Sequence, residues 1–121
     1  MTARHVVSMI GLCIVLAACS RHDSVFSMSP VFRARTAATS ASVEECITSR
    51  WKHGAREFSR VRKDGAVRLR AQTFFKGVTI GVSLRTVEGK TLVEYFERRI
   101  AAPLYATMVR GCLHPDDAGA P

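Results

Sequence analysis

The chain has 121 residues, enough for one small domain and too few for a multidomain enzyme or a multi-span membrane protein. Lys and Arg number 18 against 10 Asp and Glu, a net charge of +8 that favours anionic partners over basic ones. Hydrophobic residues at 47% exclude a disordered polyelectrolyte.

The first elements in chain order read as an address. Arg4 and His5 supply a positive start, and Val6 to Ala18 then runs without charge. As a helix this run spans roughly 20 Å, short of the roughly 30 Å hydrocarbon layer. It is followed by Leu16-Ala17-Ala18-Cys19, which resembles the lipobox of bacterial lipoproteins. The resemblance implies cleavage after residue 18 (a signal peptide over 1–18) and an acylated Cys19 holding the chain to a membrane. Ser20, in place of the aspartate that marks inner-membrane retention in that family, favours the outer membrane, with the domain facing the periplasm. The alternative is an ordinary signal peptide with a chance cysteine.

Of the 4 cysteines, Cys13 would leave with the leader and Cys19 would carry lipid. Cys46 and Cys112 then form an even pair in an oxidising compartment, where a disulfide persists. Residues 19–41 lack a sustained period and are rich in Ser, Ala and Thr. They are expected to be a flexible tether.

A small domain is expected over 42–114, followed by a disordered tail over 115–121. Ser42 and Glu45 have capping-box spacing, and Val43, Ile47 and Trp51 form one apolar stripe, predicting a helix from about Val43 to His53 capped by Gly54. Strand-like alternation follows around glycine turns. A two-residue turn at Lys76-Gly77 would pair Leu69 with Leu84 and Ala71 with Val82; one at Glu88-Gly89 would pair Leu84 with Val93 and Val82 with Tyr95. At Lys63-Asp64-Gly65 a three-residue loop is expected, because it keeps Arg60 and Arg62 off the apolar face. Leu104, Met108 and Cys112, with Tyr105 and Val109 beside them, mark a second helix with Pro103 in its first turn.

The expected fold is therefore α+β: helix, four-stranded antiparallel meander, helix, with both helices packed on one sheet face. Four up-and-down strands return the second helix antiparallel to the first, which brings Cys112 beside Cys46. Two free buried thiols are the alternative. A lipobox, Cys46-Ile47 with Trp51 and Gly54, a meander ending Val93-Glu94-Tyr95 and a terminal Cys112-Leu113 resemble the small lipoproteins of proteobacteria. Those motifs are structural and imply a fold and a disulfide, with no activity attached.

Catalytic chemistry is hard to find. Gly81-Val82-Ser83-Leu84-Arg85 lacks the second glycine of a nucleophile elbow, and Glu94 and Glu97 fall on opposite faces of one strand. Cys112-Leu113-His114 with Asp116 and Asp117 is a poor metal set if Cys112 is already bonded. No cofactor, metal or nucleic acid is expected. The unusual feature is charge: Arg60, Arg68 and Arg85 would stand side by side on the outer sheet face with Arg70 next to them, a possible anion-binding face, with a solvated edge-protecting face as the plainer reading. The function expected is a lipid-anchored binding or structural module of the envelope, its partner an anionic envelope component or an acidic protein. The alternative is an enzyme, or an enzyme accessory, whose site has no visible motif.

Overall fold

A computed structural model describes residues 24–114. The expected signal peptide over 1–18, the lipobox-like stretch from Leu16 to Cys19 and the expected tail over 115–121 lie outside the described residues.

The stretch expected to be a tether is structured from its first described residues. Ser24 caps a 3₁₀ turn at Val25–Ser27, accepting the Phe26 amide on its hydroxyl. Strand β1 follows at Phe32–Thr36, where Phe32, Ala34 and Thr36 alternate with Arg33 and Arg35. It pairs antiparallel with β5 (Lys90–Glu97), Ala34 opposite Val93. The tether reading is corrected accordingly: the strand is short, but its alternation buries Thr36 and partly covers Phe32 and Ala34.

Helix α1 spans Ser40–Gly54, a turn longer than expected, because Thr39 rather than Ser42 is the N-cap and takes the Ser42 amide on its Oγ1 at 3.2 Å. Its stripe of Val43, Ile47 and Trp51 is buried to within 1% of full enclosure. Burying side chains of this size contributes about 1.5–3 kcal/mol each, the bulk of what holds the helix down. Gly54 ends the helix but does not cap it; Ala55 does, in extended geometry. A Cβ at Gly54 would stand 2.7 Å from the Met108 methyl, so the bare backbone there accommodates the second helix.

Strands β2 (Arg56–Lys63), β3 (Ala66–Gln72), β4 (Thr79–Val87) and β5 form the meander, and β1 completes a five-stranded sheet in the order β1-β5-β4-β3-β2. Helix α2 (Pro103–Gly111) is the last described element, with Pro103 in its first turn. The fold is α+β, but the expected four-stranded helix–meander–helix order is corrected by the leading strand.

The β4–β5 hairpin has the expected register, with Leu84 opposite Val93 and Val82 opposite Tyr95 across Glu88-Gly89. The β3–β4 hairpin slips by two residues: Leu69 faces Val82 and Ala71 faces Ile80. The cause is a wider loop, in which the Thr73 hydroxyl accepts the Val78 amide at 3.0 Å and donates to the Phe75 carbonyl at 2.6 Å. An even slip keeps every side chain on its face, so the core survives the change.

The β2–β3 connection overturns the three-residue loop. Lys63 pairs with Ala66 across a two-residue turn whose Asp64 and Gly65 have φ of 53° and 75°. That conformation has the right twist for a hairpin and suits Asp-Gly. Arg60 then faces Leu69, and Arg62 faces Val67, on the helix side of the sheet. Nearer its start, β2 carries a bulge between Arg56 and Ser59, with Glu57 at a φ of 52°. The bulge turns Phe58 onto the helix-side core, where Lys52 Nζ lies 6.0 Å from its ring centroid.

Both helices pack on that side. Trp51, Ile47, Tyr105 and Val109 meet Leu69, Val82, Leu84 and Tyr95 in one core. The buried face of α2 is Tyr105, Val109 and Cys112; Leu104, expected inward, is 56% exposed. Cys46 and Cys112 are joined by a disulfide, Cα atoms 5.7 Å apart, clamping the middle of α1 to the C-cap of α2. Arg50 adds a second tie, donating to the Met108 carbonyl at 2.9 Å. The Thr36 hydroxyl donates to the Leu113 carbonyl and so fixes β1 to the C-terminal end.

Candidate functional site

The face away from the helices carries most of the unusual chemistry. Cross-strand pairing puts Arg33, Glu94, Ser83, Arg68 and Val61 in one row across all five strands. A neighbouring row holds Arg35, Leu92, Arg85, Ala66 and Lys63. A third sets Phe96 opposite Gly81 and Gly81 opposite Arg70.

The 3₁₀ turn lies over that third row. Val25 is fully buried, and Phe26 meets Phe96 edge to face with centroids 5.4 Å apart. Gly81 makes this possible: a Cβ there would stand 2.8 Å from the Phe26 ring and 2.9 Å from Val25 Cγ1. One end of the outer face is therefore plugged, while among the described residues nothing covers the other.

Beside the plug lies a groove of about 260 Å³ whose lining includes Phe26, Arg33, Arg68, Ser83, Arg85 and Glu94. Glu94, its side chain only 12% exposed, sits between two guanidinium groups. Arg33 Nη2 is 3.1 Å from Oε2, and Arg85 Nη2 is 3.6 Å from Oε1. Arg68 stacks its guanidinium over the Phe26 ring, 5.2 Å from the centroid, and among the described residues it makes no ion pair. Three positive charges thus face one carboxylate. Arg68 also borders a second depression of about 210 Å³, shared with Ser24, Ser59, Val61 and Arg70.

The expected anion face is redrawn by these positions. Arg68, Arg70 and Arg85 are on the outer face, but Arg68 stands opposite Ser83 and Arg85 opposite Ala66, so the two are diagonal neighbours rather than directly opposed. Arg60 is not with them. It points to the helix side, where its Nη1 is 3.8 Å from Glu44 Oε1 and Arg62 Nη2 is 3.3 Å from the same oxygen. The nearly buried Glu44 carboxylate on α1 explains why arginines are tolerated on that side of an edge strand. Arg33, read as part of the tether, joins the site in place of Arg60. The alternation Phe32-Arg33-Ala34-Arg35-Thr36 was the signal for it, too short to stand out beside the Ser- and Thr-rich flanks.

Elsewhere, Tyr95 and Glu97 pair on the helix side. The Tyr95 hydroxyl donates to Glu97 Oε1 at 2.8 Å, and Ala101 N–H donates to Oε2 at 3.2 Å. Burial pushes the Tyr95 phenol well above its ordinary value, with the hydrogen bond and charge of Glu97 adding to the effect. This is a structural latch at the end of β5. His53 Nδ1 lies 2.8 Å from the Ser49 carbonyl, consistent with a helix-end role. Among the described residues no three His, Cys, Asp or Glu side chains gather as metal ligands, and no helix is long and apolar enough to cross a membrane.

Compared with protein-family models, curated proteins and solved structures, the chain matches none of them.

Proposed function

We propose that the chain is a lipid-anchored envelope module whose outer sheet face binds an anionic group. The observation that supports the anion reading is the groove in which Arg33 and Arg85 share the carboxylate of Glu94 while Arg68 lines the same wall without an ion pair among the described residues. Arg68 is held by ring stacking, which leaves its planar donor fork available to a phosphate or carboxylate. Arg85 is half exposed, so a ligand oxygen competes for it with Glu94. The anchor reading rests on Leu16-Ala17-Ala18-Cys19.

Two measurements test this reading. The intact mass of protein taken from membranes should correspond to an acylated chain beginning at Cys19; an unacylated mature mass ends the anchor reading. The full chain should bind a phosphorylated glycolipid or an acidic polymer, with affinity falling steeply as salt rises. Arg68→Gln with Arg85→Gln should remove most of that binding. Lys52→Gln with Lys90→Gln, an equal charge change at exposed positions away from the groove, should leave it nearly intact. Equal loss in both pairs would reduce the attraction to net charge.

A further inference from the structure

We infer that the end of the sheet opposite the Glu88-Gly89 turn is a contact surface for an anionic lipid bilayer. Three segments meet there. The β3–β4 loop presents Phe74 and Phe75, 54% and 80% exposed. The β5–α2 connection presents Ile100, 96% exposed, and the first turn of α2 presents Leu104, 56% exposed. The Phe74 amide donates to the Tyr105 hydroxyl at 3.1 Å, which ties the loop to α2 and holds the aromatic pair outward.

The cations at this end complement a phosphate surface. Lys76 lies over the Phe75 ring, 5.6 Å from its centroid. Lys76, Arg98 and Arg99 line one notch of about 250 Å³ together with Thr79. Exposed aromatic and aliphatic side chains flanked by Lys and Arg match the layered chemistry of a bilayer interface, apolar chains beneath anionic headgroups. A soluble acidic protein would meet the cations but leave Phe75 and Ile100 without an apolar host.

The chain's entry point agrees with this orientation. The 3₁₀ turn rests on Gly81, two residues from the start of β4 and so about 7 Å from the loop end of the sheet. Between Cys19 and Ser24 the backbone spans at most about 17 Å. If Cys19 is held in a bilayer, this end of the domain is kept near its surface. The reach argument alone rests on the anchor reading; the exposed side chains and their charges do not.

The test places a tryptophan at the tip. The full chain carrying Phe75→Trp, mixed with vesicles of phosphatidylglycerol and phosphatidylcholine, should shift its emission to the blue and be quenched by brominated lipid. Lys90→Trp, at the opposite end of the sheet, should do neither, while the buried Trp51 contributes the same background to both. Adding Lys76→Gln and Arg99→Gln to Phe75→Trp should remove most of the quenching. Absence of quenching at position 75, or equal quenching at 75 and 90, overturns the inference. Equal quenching in phosphatidylcholine alone overturns its anionic part. A blue shift that grows with protein concentration without vesicles makes the occupant a second copy of the chain instead. The intact-mass result for Cys19 is read separately, so tip and anchor can fail independently.

Discussion

On the helix side of the sheet, Leu69, Val82, Leu84, Val93 and Tyr95 are sealed by two helices that a disulfide ties together. On the other side, the same strands present Arg68, Arg85 and Glu94, joined by Arg33 of β1, and the 3₁₀ turn at Val25–Ser27 covers part of that face. One face satisfies its side chains by excluding water. The other keeps like charges close together and relies on one carboxylate and one aromatic ring to hold them. Arg60 and Arg62 show that the division follows cover rather than alternation alone. They point to the helix side, yet at the sheet's edge they stay half to mostly exposed and find Glu44 at the helix rim. Stability should therefore reside in the helix-covered face, while the outer face is free to hold chemistry that does little for folding.

The largest effect expected from breaking this division comes from the clamp. Cys46 and Cys112 are 66 residues apart, and opening so long a loop should cost about 4 kcal/mol in the chain-entropy picture. Cys46→Ser with Cys112→Ser should lower the denaturant midpoint accordingly, and reduction of the native protein should do the same. A change below about 1 kcal/mol would mean that the helices hold the sheet without it.

A middle-sized effect should come from the plug. Gly81→Ala needs no unusual backbone, but its methyl would run into the Phe26 ring and Val25. Overpacking of this kind costs about 1–3 kcal/mol. Amides of Val25 to Met28 should lose hydrogen-exchange protection while β4 and β5 keep theirs. Loss throughout the sheet would show that the outer cover is part of the folding core, and the comparison of faces would fail.

The smallest effect concerns Tyr95. A tyrosine is neutral when protonated, so a raised value in the folded state means that the native protein keeps a proton the unfolded chain releases above about pH 10. The resulting stability is whole below about pH 10 and is lost as pH rises toward the folded value. Tyr95→Phe should cost about 1 kcal/mol at neutral pH through the lost bond to Glu97, and should flatten the decline in alkali. Denaturant midpoints at about pH 8 and about pH 11, compared between the two proteins, check both signs. An unchanged alkaline slope would move the titration to another group.

Much of the helix-covered face was legible because it depends on periods. The spacing of Val43, Ile47 and Trp51 identifies α1 whatever its cap, although Thr39 moved its start. In α2 the same reasoning chose the wrong edge of the stripe, since Leu104 and Tyr105 are adjacent and only the docked loop at Phe74 selects Tyr105. The outer site was half legible. Arg68, Arg70 and Arg85 follow from parity, which a slip of two residues leaves untouched. Arg60 does not, because the three-residue loop assumed that every inward position on β2 must be apolar. At an edge strand beyond the helix layer, that requirement lapses.

By itself the sequence determined what local geometry and period two can carry. The Glu88-Gly89 hairpin register, the buried alternation of β3 to β5, and the two amphipathic helices with their Pro103 start all follow from nearby residues. Tertiary structure alone decided the rest. Strand β1 exists because β5 offers an open edge, the β3–β4 register because Thr73 closes a wider loop, and Arg60 is tolerated on the inner face, where the Asp64-Gly65 turn puts it, because Glu44 on α1 meets it there. Each of these depends on a partner distant in the chain or on a loop's internal bonds. A period repeats identically under an even shift, so it identifies a face without identifying the neighbour across it.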